Sequence, residues 1–258
     1  MHKLVIRLNG VDAAFLPVFR SRARLPRVCT SVSVFVIRDR GRVHHTLLDI
    51  GPGVGEAIQE EGLFPEAFPI DWLLISHSHM DHFLGLDSLC GDLRGWALAR
   101  SMAPPRLRLY CLTQTFDETV GAVFPYLRAM IDHTPAEAGV PFPLWKDEAA
   151  ELSVTLLEVS HFRRSAVAVF TFAAAGAPPA RVVCLFDFGG FHPPDSPQAA
   201  VGGRPDNPLF LRPDLLIAEA TNWADEARSV GRTGTHLAFE KLADYLVGDG
   251  RRGPPFSG

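Results

Sequence analysis

Trp72-Leu73-Leu74-Ile75-Ser76-His77-Ser78-His79-Met80-Asp81-His82 joins four apolar residues to a run dense in metal-binding side chains. The apolar half reads as a buried strand. His77, His79, Asp81 and His82 then fall within six residues, in a chain that has ten histidines in all, so chance clustering is a poor account of them. A strand ending at Ile75 hands the chain to a tight loop, where alternate side chains converge. His77 and His79 point the same way at strand-like spacing, while Asp81 and His82 can turn towards a second point nearby. Imidazole nitrogen and carboxylate oxygen are ligands that zinc, iron and manganese accept. The run is a metal site.

Upstream of this run lies the turn Asp49-Ile50-Gly51-Pro52-Gly53, and downstream two strand-like stretches end in further candidates. His161 follows Leu156-Leu157-Glu158-Val159-Ser160. A lone histidine is more often structural than ligating, but one at a strand end beyond a metal motif favours the ligand reading. Asp187 ends the apolar stretch Val182-Val183-Cys184-Leu185-Phe186. A carboxylate there is costly unless it is paired or metal-bound.

At 258 residues and 47% hydrophobic content, the chain can bury a substantial core as one domain. A net charge of −4 argues against a long nucleic-acid track, which needs a basic surface. Cys29, Cys90, Cys111 and Cys184 are scattered and read as buried thiols. The opening Met1–Arg7 reads as a strand and not as a secretion signal. The longest apolar stretch, Ala166 to Ala175, is too short to span a bilayer. The expected localisation is cytoplasmic, without membrane attachment.

Strand-like runs occupy Leu4–Leu8, Ser31–Ile37, His45–Asp49, Trp72–Ile75, Leu107–Cys111, Val154–Val159, Val167–Phe172, Arg181–Phe186 and Leu215–Ala218. Helical patterns fit Val54–Glu61, Asp81–Arg100, Thr115–Met130 and His236–Val247. Pro193–Pro208 reads as a loop. Strands alternating with helices, without a repeat period, predict a layered α/β domain.

The H-x-H-x-D-H run resembles the hallmark of the metallo-β-lactamase-fold superfamily. Asp49–Gly53, His161 and Asp187 follow that superfamily's order, so the resemblance covers roughly residues 3–246. It implies a single domain over 1–258, a four-layer αβ/βα sandwich with two β-sheets face to face and helices outside. It also implies a ligand set: His77, His79 and His161 for one metal, Asp81 and His82 for a second, and Asp187 bridging both. One or two Zn2+ ions are expected, with Mn2+ or Fe2+ as alternatives. A hydroxide held between such metals is a strong nucleophile at neutral pH. Asp49 then supports a histidine and its loop from behind, with a plain turn-capping role as the alternative.

Ala218-Glu219-Ala220-Thr221 and Thr235-His236-Leu237-Ala238 resemble two motifs of the ribonuclease Z-like branch, in which a histidine protonates the leaving oxygen and a glutamate orients it. The resemblance gives those roles to His236 and Glu219, although Thr235 also suits an ordinary helix start. The branch's last metal-binding histidine has no counterpart here. The tail from about residue 248 is rich in glycine and proline and holds no histidine, so the final strand is expected to be missing. Either His236 takes that ligand's place, giving up the acid role, or the second metal site binds weakly or stays empty.

The leading expectation is a phosphodiesterase for a small or cyclic phosphodiester, as in the phosphonate-pathway cyclic phosphodiesterases. Arg163 and Arg164 are candidates for gripping an anionic substrate, with Arg20, Arg22, Arg24 and Arg27 as a second basic cluster; the plain alternative for both clusters is a solvated face. Only 25 residues separate His161 from Asp187, too few for an RNA-gripping arm. Hydrolysis of a lactone, thioester or β-lactam is the alternative. A non-catalytic or cofactor-biosynthesis accessory protein, similar to the PQQ synthesis B proteins, is a third. The expected partners are a small-molecule substrate and, in a homodimer, a second copy of the chain.

Overall fold

The computed structural model describes residues 2–10, 28–39, 41–60, 70–161, 164–188, 190–192, 197, 207–210 and 213–218. The chain divides into two compact units, Met1–Ala136 and Glu137–Gly258. Each contains one sheet, so the class is mixed α/β with two sheets.

The first unit holds a six-stranded sheet in sequential order β1 to β6. The strands β1 (His2–Gly10), β2 (Ser31–Arg38) and β3 (Gly41–Leu48) form an antiparallel meander. After β3 the sheet turns parallel through β4 (Trp72–Leu74), β5 (Leu107–Cys111) and β6 (Ile131–Pro135). Parallel pairing requires crossovers. The first contains α1 (Val54–Glu60), and the second α2 (Met80–Phe83) and α3 (Leu86–Leu98). The third runs through α4 (Thr113–Phe116), the π-helical turn Asp117–Gly121 and the 3-10 segment Pro125–Met130. The buried residues of α3, Leu86, Leu89, Cys90, Leu93 and Ala97, recur at helical spacing. They share one core with Leu47, Leu73, Ile75, Leu107 and Leu109 of the sheet.

In the second unit the sheet order is β11-β10-β9-β8-β7. The strands β7 (Pro141–Lys146), β8 (Ala150–Val159), β9 (Ser165–Ala174) and β10 (Ala180–Leu185) pair antiparallel, and β11 (Leu215–Ala218) runs parallel to β10. Alternate residues Leu157, Val159, Val167, Val169, Val183 and Leu185 form one apolar face with Phe188 and Phe210.

Three expectations change. The continuous helix over Asp81–Arg100 is broken at Leu84–Gly85 into α2 and α3. Gly85 N–H donates to the Ile50 carbonyl at 2.8 Å, and a Cβ there would lie 2.7 Å from the Gly51 carbonyl oxygen. Backbone approach from the β3–α1 turn therefore takes precedence over helix continuation. The run Thr115–Met130 forms three short irregular helices, because Pro125 starts a new segment after the π turn and Phe124 leaves the helical region at φ −124°. The strands β6 and β7 were not anticipated: one is short and largely polar, the other carries Pro141 and Pro143. Both are edge strands, where prolines and exposed polar side chains are tolerated. The expected helix His236–Val247, the tail and the missing final strand lie outside the described residues.

Candidate metal centre

The polypeptide leaves β4 at Leu74 and enters the loop Ile75–His79, which α2 closes. Three imidazoles crowd together there: the His77 ring lies 4.6 Å from that of His79 and 4.2 Å from that of His82. Such crowding of imidazoles suits side chains that converge on bound cations.

Asp49 organises this cluster. It is fully buried at the end of β3, with a left-handed φ of 62°. Its N–H donates to the Leu74 carbonyl at 2.8 Å, tying it to the end of β4. The carboxylate accepts the Ser76 N–H, the Ser76 hydroxyl and His82 Nδ1–H, each at 2.8 Å. With its proton committed to Asp49, Ser76 Oγ accepts from Nδ1 of His77 at 3.0 Å. The Nδ1 protons of His77 and His82 are thereby fixed, which leaves the ring lone pair on Nε2 in both. The expected support of a histidine by Asp49 takes this form.

Two more contacts hold the loop against the β3–α1 turn. Ile50 N–H donates to the His82 carbonyl at 2.8 Å, and a Cβ on Gly51 would stand 1.8 Å from the Asp81 carbonyl oxygen. Only glycine permits this approach. Asp81 lies in the first turn of α2, with its carboxylate 3.4 Å from Nε2 of His82.

In the second unit, His161 and Asp187 meet. Nε2 of His161 lies 3.7 Å from the Asp187 carboxylate, and both side chains are buried. His161 follows β8, where Ser160 N–H donates to the Gly190 carbonyl at 3.0 Å. Asp187 follows β10 and has a φ of 44°, a conformation costly for a residue with a side chain. Arg164 forks onto the buried Glu158, with Nε 2.9 Å from one oxygen and an Nη on the other. That hydrogen bond raises the guanidinium pKa further above its ordinary value. Arg163, Glu219, His236 and the Arg20–Arg27 cluster lie outside the described residues.

Two further residues stand out only in the structure: Ser76, the hydroxyl that links Asp49 to His77, and His192, whose Nε2 is buried without a hydrogen-bond partner among the described residues. No motif signals either. The donor set of imidazoles and carboxylates fits a divalent metal, and the described residues include histidine–aspartate groups of that kind.

The family model described as the Beta-lactamase superfamily domain matches residues 44–248, more than half of the chain. The protein belongs to this family, a superfamily made up mostly of metal-dependent hydrolases. No curated protein sequence matches the chain.

Among solved structures, a diphosphatase from the PhnP family is similar with a TM-score of 0.62 and 18% identity, over 95% of this chain and 81% of its own. The short form of human tRNase Z gives 0.58 and 18%, over 94% and 86%. Zinc-bound PqqB from Methylobacterium extorquens gives 0.55 and 18%, over 92% and 77%. These likenesses, each at 18% identity, show a shared fold.

Proposed function

We propose that the protein is a metal-dependent hydrolase that cleaves a small or cyclic phosphodiester. In this reading His77, His79 and His161 hold one divalent metal, preferably zinc, Asp81 and His82 hold a second, and Asp187 serves both. Bound metal supplies a water-derived nucleophile near neutral pH and positive charge for the developing oxyanion.

The observation that carries the reading is the anchoring of the imidazoles. Asp49 fixes the Nδ1 protons of His82 and, through Ser76, of His77, so both rings present Nε2 as ligand nitrogens. The phosphodiester rests on Glu219 and His236, which resemble a leaving-group acid and its orienting carboxylate, and fits the presence of a diphosphatase and a tRNase Z among the fold neighbours. In this role His236 gives its proton to the departing oxygen while Glu219 holds the ring. The substrate is small and anionic rather than a long nucleic acid, in keeping with a net charge of −4. Among the described residues no helix is long and apolar enough to cross a membrane, and a cytoplasmic location is part of the proposal.

The test is hydrolysis of bis(p-nitrophenyl) phosphate alongside a chromogenic lactone and a chromogenic β-lactam. Turnover of the phosphodiester that disappears on chelation and returns with added zinc supports the reading. Metal-dependent turnover of an acyl substrate alone overturns the phosphodiester assignment. Stoichiometric metal with no turnover of any of the three points to an accessory role.

A further inference from the structure

Ser78 stands between His77 and His79 in the metal loop, and the ligand set makes no use of it. Its hydroxyl donates to the carboxylate of Glu118, far along the chain in the same unit. Nε2 of Gln114, one turn earlier, donates to the other Glu118 oxygen at 2.7 Å.

Glu118 belongs to the π-helical turn Asp117–Gly121. Such turns are rare and occur frequently at functional sites. This one is held from within. Thr119 and Val120 are buried, Val120 in the core shared with α3, and the Thr119 hydroxyl donates to the Thr115 carbonyl at 2.7 Å. Phe116, just before the turn, stacks on His133 of β6 at 4.0 Å with 3° between the rings. A well-anchored turn thus presents a carboxylate to the one hydroxyl lying between the two histidines.

We propose that Glu118 is a positioning residue of the metal centre. Acting through Ser78, it fixes the backbone between His77 and His79, so that both imidazoles meet one cation without reorganisation. Its contribution is to metal affinity and not to the stability of the metal-free fold. The inference rests on the proposed role of His77 and His79 as metal ligands, and it extends the support of the loop from the Asp49 side to the opposite side of the motif.

The experiment is competitive titration of Zn2+ into metal-stripped full-length protein against a chromogenic chelator, together with the melting temperature of each stripped variant. Glu118→Ala and Ser78→Ala should each weaken the tightest zinc equivalent by about tenfold, the scale typical of residues that orient a metal ligand. Ser78→Ala combined with Glu118→Ala should be no weaker than either alone, because both remove the same contact. Glu118→Gln keeps an acceptor for the Ser78 hydroxyl and should restore most of the affinity. Melting temperatures without metal should stay close to wild type. Wild-type zinc affinity in Glu118→Ala, a lowered melting temperature with unchanged affinity, or additive losses in the double variant would each overturn the proposal. The variant His77→Ala with His79→Ala separates the two levels. If it binds zinc as tightly as wild type, the ligand assignment has failed and the positioning role fails with it. If it alone loses zinc, only the positioning role has failed.

Discussion

Replacing Asp49 by asparagine isolates what its negative charge does for the metal loop. Asparagine tolerates the left-handed backbone that Asp49 adopts at φ 62°, so the turn itself is kept. One carboxylate oxygen accepts the Ser76 N–H, and the other accepts both the Ser76 hydroxyl and His82 Nδ1–H. An amide oxygen can replace the first. The amide nitrogen, placed at the second, faces two donors. Two hydrogen bonds to a charged acceptor are therefore lost, each contributing about 1.5–3 kcal/mol. Relief of the buried charge offsets part of this, leaving a net loss of about 2–4 kcal/mol in the metal-free protein.

His82 can adapt by moving its proton to Nε2, which removes the ligand lone pair. Zinc affinity at the site that uses His82 should fall about 10–100-fold. Urea unfolding of stripped protein gives the first quantity, and zinc titration against a chelator gives the second. A stable Asp49→Asn variant with wild-type zinc affinity would refute the account of how the imidazoles are oriented.

Further outcomes follow from other positions. His44 is buried against Thr46 and Asp71, and burial holds its pKa down at about 4, with Asp71 opposing and Arg42 and Arg108 adding to the shift. Between pH 6.5 and 4 the unfolded chain binds the extra proton, so stability falls as pH drops, by at most about 3 kcal/mol. In stripped protein, His44→Gln should flatten that part of the stability–pH curve, and an unchanged slope would contradict the assignment. Gly51→Ala should destabilise by about 3 kcal/mol or more, because the new Cβ meets the Asp81 carbonyl oxygen at 1.8 Å. Gly91→Ala, in open space on α3, should instead stabilise by about 0.5–1 kcal/mol, read by urea unfolding. His236→Ala should spare metal and slow mainly substrates with poor leaving groups if His236 is the proton donor, or reduce occupancy of the weaker site if it is a ligand. Two equally tight metals in both wild type and variant would rule out the ligand role and show that another group completes the second site.

Much of this was legible because the relevant signals are local. Four of the candidate ligands fall within six consecutive residues, the interior strands β8 to β10 are runs of β-branched and apolar residues, and the buried face of α3 repeats at helical spacing. Contacts distant in sequence were not legible. The end of α2 at Gly85 depends on the Ile50 carbonyl, a partner that helix periodicity does not encode. The exposed edges β6 and β7 carry too many polar residues or prolines to register as strands. Asp49 was recognised as support for a histidine, but its three donors and the Ser76 link emerge only when β3 and β4 end side by side. Glu118 gives no signal at all, since its meaning comes from a turn packed against a loop 40 residues earlier.

The most direct test of the central claim is the metal content of the purified protein, by elemental analysis, beside that of the variant His77→Ala with His79→Ala. The account predicts at least one equivalent of divalent metal in the wild type and loss of stoichiometric metal in the variant, with the stripped variant folding as the stripped wild type does. Equal metal content in the two proteins would contradict it.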